Sequence, residues 1–384
     1  AASDVYKRQE ERNMRIVKVN KDSIANILSD LLKRSPTNYG DFQDKVDAII
    51  KNVRDNGDKA VFDYTAQFDK AEINAENILV TEEEIKEAYE EVDDELIKVI
   101  RKAIKNIRDF HEKQIQKSWF ETREDGVMLG QKVTPMETCG VYVPGGKAVY
   151  PSSVLMNIVP AHVAGVKNII MTTPPGKDGK VTANTLVAAK EAGATKVYKV
   201  GGAQAIAAMA FGTESIPKVD KIVGPGNIFV ALAKKAVYGN VSIDSIAGPS
   251  EILVLADETA NPRYVAADLL SQAEHDEMAS AILVTTSEEL AHKVSDEIDG
   301  FLNQLSRKEI MEKSLDSFGY ILVASDMKEA IDTANAIASE HMEIMTANPF
   351  DVMTRIKNAG AIFIGAYSCE PLGDYFAGPN HVLP

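Results

Sequence analysis

From residue 140 onward the chain alternates short β-branched runs with Ala-rich stretches of helical length, and it does so in two successive blocks. In the first block residues 141–143, 168–172, 196–200, 221–223 and 241–244 read as strands, and helices are predicted near 152–165, 182–193, 203–211 and 227–239. The second block repeats the pattern, with strands at 252–256, 281–285, 320–323, 344–346 and 361–364. Its helices are predicted at 262–276, 288–304 and 326–339. Parallel neighbours need a crossover of helical length, so this period predicts parallel sheets covered by helices on both faces. The expected fold is α/β, with two such domains behind an N-terminal helical part.

That part carries its own punctuation. Ile24, Ile27, Leu28, Leu31 and Leu32 keep the spacing of one apolar helix face, which Ser35-Pro36 ends. A second helix is expected from about Asp41 to a stop at Gly57. Thr81 with Glu84 forms a capping box opening a long charged helix that runs, with a break, to Trp119, its acid run a solvated face. The 384 residues exceed one ordinary domain. A net charge of −15 argues against nucleic-acid binding, which needs an excess of Lys and Arg. No apolar run approaches the roughly 18–20 residues of a membrane span. Two cysteines, Cys139 and Cys369, give neither a disulfide framework nor a metal knuckle, which fits a reducing, cytoplasmic compartment. Residues 1–13 lack an initiator Met and an apolar core, so they are expected to be an assembly scar rather than a signal peptide, with the native start at Met14.

Three glycine turns follow predicted strands: Pro144-Gly145-Gly146, Gly201-Gly202-Ala203-Gln204 and Gly224-Pro225-Gly226-Asn227. Glycine lets the backbone approach a ligand, and helix N-termini favour anions, so a dinucleotide could lie here. The alternative is that they are only turns, since no G-x-G-x-x-G is present. The last third concentrates ligand and acid–base chemistry in a chain with six histidines. Gln272 and His275 extend one helix seam and could reach one metal ion, or form a buried polar pair. Glu340-His341 puts a carboxylate beside an imidazole at the next inward step of a helix, a competent base pair. Asp374 and His381 fall in a Gly/Pro-rich loop after a strand. Neither cysteine has surroundings that would make it a nucleophile.

Taken together, G-V-Y-V-P-G-G, V-G-G-A-Q-A-I-A-A-M-A-F-G-T, D-K-I-V-G-P-G-N, A-G-P-S-E, D-L-L-S-Q-A-E-H-D, S-E-H-M-E and P-L-G-D-Y-F-A-G-P-N-H-V-L-P resemble histidinol dehydrogenase, collinearly over residues 14–384. The resemblance implies a zinc-containing, NAD-dependent homodimer with its site shared across subunits. It would oxidise L-histidinol through L-histidinaldehyde to L-histidine while reducing two NAD⁺. It implies Gln272, His275 and Asp374 as zinc ligands, and Ser250, His341 and His381 joining them on the substrate. Tyr142, Gln204 and Asn227 would contact NAD, His341 would take the alcohol proton and Glu340 would activate water. It further implies Rossmann-like halves similar to aldehyde dehydrogenases. Residues 14–37 would be an N-terminal helical segment, 38–140 with 256–384 a zinc and substrate domain, and 141–255 the NAD domain. The family's C-terminal segment carries a further zinc-ligand His and a substrate-binding Glu, and this sequence ends at Pro384. A truncated form lacking that small domain, and so an inactive NAD-binding fragment, is one alternative expectation; a zinc hydrolase using Glu340 is another.

Overall fold

The computed structural model describes residues 14–32, 34, 40–145, 151–246 and 248–381. The chain forms two compact units, one of residues 1–38, 248–373 and 383–384, the other of residues 39–247 and 374–382. The first opens with Arg15–Lys18 (β1) and the amphipathic Lys21–Leu32 (α1). The scar expected at 1–13, the stop at Ser35-Pro36 and Gly146 lie outside the described residues.

The second unit begins with Gly40–Phe68 (α2), Glu82–Glu91 (α3) and Asp94–His111 (α4). Thr81 and Glu84 form the expected capping box, and the break falls where Asp93 caps α4 by accepting the Glu95 N–H at 2.7 Å. Glu84 is not merely solvated, for it pairs with the buried Lys199. Helix does not continue to Trp119. Trp119–Thr122 (β2) and Met128–Gln131 (β3) form an antiparallel hairpin instead, turned at Asp125-Gly126. Aromatic and β-branched residues around an Asp-Gly pair favour that turn over helix.

Then the predicted alternation appears. Thr138–Tyr142 (β4), Pro151–Val163 (α5), Asn168–Thr173 (β5), Ala183–Ala192 (α6), Lys196–Lys199 (β6), Gly202–Phe211 (α7), Lys221–Val223 (β7), Ile228–Val237 (α8) and Ser242–Ile243 (β8) follow in turn. The strands form one parallel sheet in the order β6-β5-β4-β7-β8. Successive strand residues point to opposite faces, so Ile170 and Tyr142 join a core with α2, α7 and α8. Val141, Ile169 and Met171 join the other, with α3, α4, α5 and α6.

The first unit resumes with Glu251–Ala256 (β9), Pro262–Ala273 (α9), Ser280–Thr285 (β10), Glu288–Leu302 (α10), Lys308–Phe318 (α11) and Gly319–Val323 (β11). Met327–Ile337 (α12), His341–Met345 (β12), Pro349–Met353 (α13), Ala361–Ile364 (β13) and Glu370–Leu372 (α14) complete it, and a π-helical turn, Gly373–Ala377, comes next. Its sheet is parallel, in the order β1-β11-β10-β9-β12-β13. Ile252, Val254 and Ala256 face α9, α10 and α11, while Leu253 and Leu255 face α1, α12 and α13.

The α/β class and parallel sheets agree with expectation, but the partition differs. Residues 39–140 group with 141–247 rather than with 256–373, because α2 packs its apolar face on α7 and α8. Residues 14–32 are no separate helical segment, since β1 pairs with β11 and α1 covers the same sheet. The boundary falls near 248, not 255, because β9 is central to the first unit's sheet. Gly57 kinks α2 rather than ending it, at φ +53°. The Asp58 N–H freed there donates to Glu214 Oε2 at 2.8 Å, and an added Cβ at Gly57 would lie 2.4 Å from that oxygen. Gly57→Ala is therefore expected to destabilise the chain by about 1–3 kcal/mol, through left-handed strain and a displaced hydrogen bond. Urea unfolding should show a lower midpoint with an unchanged slope; an unchanged midpoint would mean the kink is soft.

Candidate active site

In the second unit the C-terminal ends of β4, β6 and β7 carry the glycine turns, where open parallel sheets place their ligands. Tyr142 closes β4, and its hydroxyl accepts the Gly202 N–H at 3.1 Å, at the start of α7. Burial pushes this phenol up to about 12, so it stays a neutral hydroxyl near neutral pH. Gly224 follows β7 at φ +117°, so close to β4 that a Cβ there would meet the Tyr142 carbonyl oxygen at 2.0 Å. Both backbone groups of Gly224 are held: its N–H donates to Asp244 Oδ2 at 2.7 Å and its carbonyl accepts from Lys234 Nζ at 2.8 Å. Lys234 and Asp244 also pair with each other.

Gln204, in the first turn of α7, is 1 % exposed, and neither its amide oxygen nor its amide nitrogen has a hydrogen-bond partner. The amide folds back over Gly202, where a Cβ would meet Oε1 at 2.6 Å. Buried amides are almost always satisfied, so this one, beside a helix N-terminus, points to a ligand. Asn227 is occupied differently: its Oδ1 caps α8 by accepting the Phe229 and Val230 N–H groups at 3.1 and 3.2 Å.

In the first unit α12 ends at Ile337 with Ala338 left-handed, so His341 is not a helix residue but the first residue of β12. Parallel pairing with β9 sets His341 against Ile252, which brings Glu251 beside Glu340. The Glu251 carbonyl faces His341 Nδ1 at 3.0 Å, and the His341 ring is buried. A carbonyl only accepts, so Nδ1 is the donor in this contact. Glu340 and Glu251 exchange bonds: the Glu340 N–H donates to Glu251 Oε2 at 3.2 Å and the Glu251 N–H to Glu340 Oε2 at 3.3 Å.

Among the described residues, one group offers donor atoms close enough to share a metal ion: His341, Glu370 and Asp374, all buried and within 4.8 Å of one another. Glu370 and Asp374 lie four apart, across α14 and the turn that follows it. His381 folds back so that its Nδ1 donates to the Asp374 carbonyl at 3.1 Å. Behind Glu370, its N–H donates to Glu343 Oε1 at 2.8 Å, and the carboxyl of the buried Glu343 lies beside that of Asp268 on α9. Burial, reinforced by the Asp268 charge, raises Glu343 far above the usual carboxylate range, and burial raises Asp268 as well. Two carboxyls in such contact hold one proton between them.

The histidinol dehydrogenase family model matches residues 32–384. The histidinol dehydrogenase of Clostridium acetobutylicum is 60% identical over 336 residues, which is 88% of this chain and 78% of that protein. That of Bacillus subtilis is 60% identical, over 88% of this chain and 79% of that protein. The crystal structure of histidinol dehydrogenase from Elizabethkingia anophelis superposes with a TM-score of 0.92 at 39% identity, covering 97% of this chain and 85% of that one.

The chain belongs to the histidinol dehydrogenase family.

Of the residues singled out from the resemblance to histidinol dehydrogenase, His381 folds back onto Asp374. Tyr142, Gln204 and Asn227 all sit at the helix-start edge of one sheet. Gln272 is buried near the end of α9, and His275 lies beyond the helix, its N–H donating to the Gln272 carbonyl at 3.0 Å. Ser250 precedes β9, and its carbonyl accepts the Ser280 N–H at 3.0 Å. Cys139 is buried, which pushes its thiol up to about 12 and leaves it inert. Sequence reading missed Glu370, whose spacing from Asp374 is a helical signal, and Glu251, Glu343, Asp268 and Arg34, which carry none. Because the shared Glu343 proton is held more tightly when folded, it favours the fold at low pH. That contribution is lost as pH climbs from the ordinary carboxylate range toward the raised value. Glu343→Gln should therefore gain stability over the parent as pH rises from 5 to 8, by up to about 1.4 kcal/mol per unit. Urea unfolding across that range checks it, and parallel pH profiles would show that no proton is held.

Proposed function

We propose that this chain catalyses the four-electron oxidation of L-histidinol through L-histidinaldehyde to L-histidine, the closing steps of histidine biosynthesis, passing electrons to two NAD⁺ in turn. Family membership supports the reaction. The observation that carries the assignment of roles is His341, buried beside Glu340 with its ring oriented by the Nδ1 contact to the Glu251 carbonyl. In the first half-reaction His341 takes the carbinol proton as the hydride passes to nicotinamide. In the second, Glu340 removes a proton from water as it adds to the aldehyde, and the hydrate gives up its hydride to the second NAD⁺. Ser250, His341 and His381 hold the substrate, and Tyr142, Gln204 and Asn227 hold NAD.

Zinc accepts imidazole nitrogen and carboxylate oxygen, and His275 and Asp374 offer one of each. Gln272, His275 and Asp374 would hold it; zinc, when bound, supplies an electropositive anchor for the substrate's amine and imidazole. The enzyme works in the cytoplasm as a homodimer with a shared site. No helix among the described residues is long and apolar enough to cross a membrane. Family membership and the unsatisfied Gln204 amide count against a zinc hydrolase built on Glu340.

Glu340→Gln is expected to slow aldehyde oxidation by about 10²–10⁴-fold, a general base's usual contribution, and alcohol oxidation far less. NADH formation followed separately from L-histidinol and L-histidinaldehyde decides; equal losses would sink this division of labour. Gln272→Ala and His275→Ala should lower zinc content and histidinol turnover while NADH binding survives. Metal analysis beside NADH titration tests this, and parallel loss of both would show that the two ligand sites are not separate.

A further inference from the structure

Arg34 is a charged side chain with 2 % exposure, inside a unit where buried charge is costly unless it is paired. All three of its guanidinium nitrogens donate. Nε donates to the Met278 carbonyl at 2.6 Å, Nη1 to Glu251 Oε1 at 3.1 Å, and Nη2 to the Pro249 and Ser250 carbonyls at 3.0 and 3.2 Å. It therefore grips three consecutive residues, Pro249, Ser250 and Glu251, at the entrance to β9. Glu251 in turn touches the Glu340-His341 pair at three points. Its Oε2 takes the Glu340 N–H, its N–H meets the Glu340 carboxylate, and its carbonyl meets His341 Nδ1.

Bond by bond, then, the orientation of Glu340 and the tautomer of His341 rest on Glu251, and the placement of Glu251 rests on Arg34. Charge runs the same way. Glu251 and Glu340 are two carboxylates in direct contact with each other's backbone, an arrangement that repulsion would open. The guanidinium is the cation facing them: burial lowers its pKa, and Glu251, then Glu340 and Asp276, pull it back up. Only a planar fork can serve the Glu251 carboxylate and three carbonyls at once; a lysine ammonium could not.

We propose that Arg34 and Glu251 are positioning residues for the dehydrogenation: Glu251 orients Glu340 and His341 through three hydrogen bonds, and Arg34 fixes Glu251 and Ser250 in register. This deepens the proposed histidinol oxidation and rests on it. Neither residue touches substrate. Each acts through Glu340 and His341.

The test uses the whole chain with histidinol, histidinaldehyde and NAD⁺. Glu251→Gln keeps the size of the side chain but leaves one accepting oxygen where the carboxylate offers two, so Arg34 Nη1 and the Glu340 N–H can no longer each have their own. Arg34→Lys keeps the charge and loses the fork. Each should lower kcat about a hundredfold, the scale of a misplaced catalytic group, with KM for NAD⁺ unchanged. In a Glu340→Gln background, Glu251→Gln should cost aldehyde oxidation about twofold or less further, because the group it orients is already gone. A loss that merely tracks the folded fraction, or one that repeats in full in the Glu340→Gln background, overturns the positioning role. So does parental kcat in Glu251→Gln. Should Arg34→Lys fail to fold, Glu251→Gln and its double variant still decide. A parent chain that does not oxidise histidinol would overturn the activity itself, and this role with it.

Discussion

The in-register pairing of β12 with β9 is the constraint on which the first unit's chemistry depends. Backbone hydrogen bonds between the two strands set His341 against Ile252, and from that single match the rest follows. Glu251, one residue before Ile252, comes to lie beside Glu340, one residue before His341. A slip of one residue would turn every side chain of β12 to the opposite face. The register is defended on both sides, since Leu253 and Leu255 pack under one helical layer and Ile252 and Val254 under the other. The imidazole is thus placed by apolar burial along strands that themselves do no chemistry.

A second organising rule is that charge near the site is buried only in company. Arg34 is surrounded by acceptors, and Glu343 with Asp268 avoids a double charge by holding a proton. These groups lie on different elements: Arg34 after α1, Asp268 on α9 and Glu343 on β12. Each buried polar contact therefore ties one site-bearing element to another, at a desolvation cost that only satisfied geometry offsets. The second unit makes its loops rigid by other means. Gly224 is clasped at both N–H and carbonyl by the Lys234–Asp244 pair and pressed on Tyr142, while Tyr142 reaches across to Gly202. Among the described residues there, Gln204 keeps both its amide atoms unsatisfied.

Much of this was legible before any coordinates. The alternation of strand and helix after residue 140 specified parallel sheets covered on both faces, because apolar periodicity reports burial directly. The capping box at Thr81 was readable too, because its two hydrogen bonds span only three residues. Where reading failed, local signals competed or were too short. Trp119 was read as helical because a charged helix ran toward it, whereas the Asp125-Gly126 turn makes a hairpin. Gly57 looked like a stop, yet tertiary packing of α2 on α7 and α8 carries the helix through it. His341 fell on an extrapolated helix seam, but the left-handed Ala338 ends that helix and a strand begins.

By itself the sequence determined the fold class, most element positions and the residue types able to do acid–base and ligand chemistry. These depend on period, turn residues and side-chain identity, which are properties of neighbours along the chain. The tertiary structure alone decided which elements share a unit, that residues 39–140 pack with 141–247, and that β1 extends the first sheet. It alone revealed the buried contacts of Arg34, Glu251, Glu343, Asp268 and Glu370. Their partners lie tens to hundreds of residues away; Arg34 meets Glu251 across 217 positions. No local pattern encodes such a contact, because the energy that selects it, pairing of buried charge, exists only once burial has removed the water.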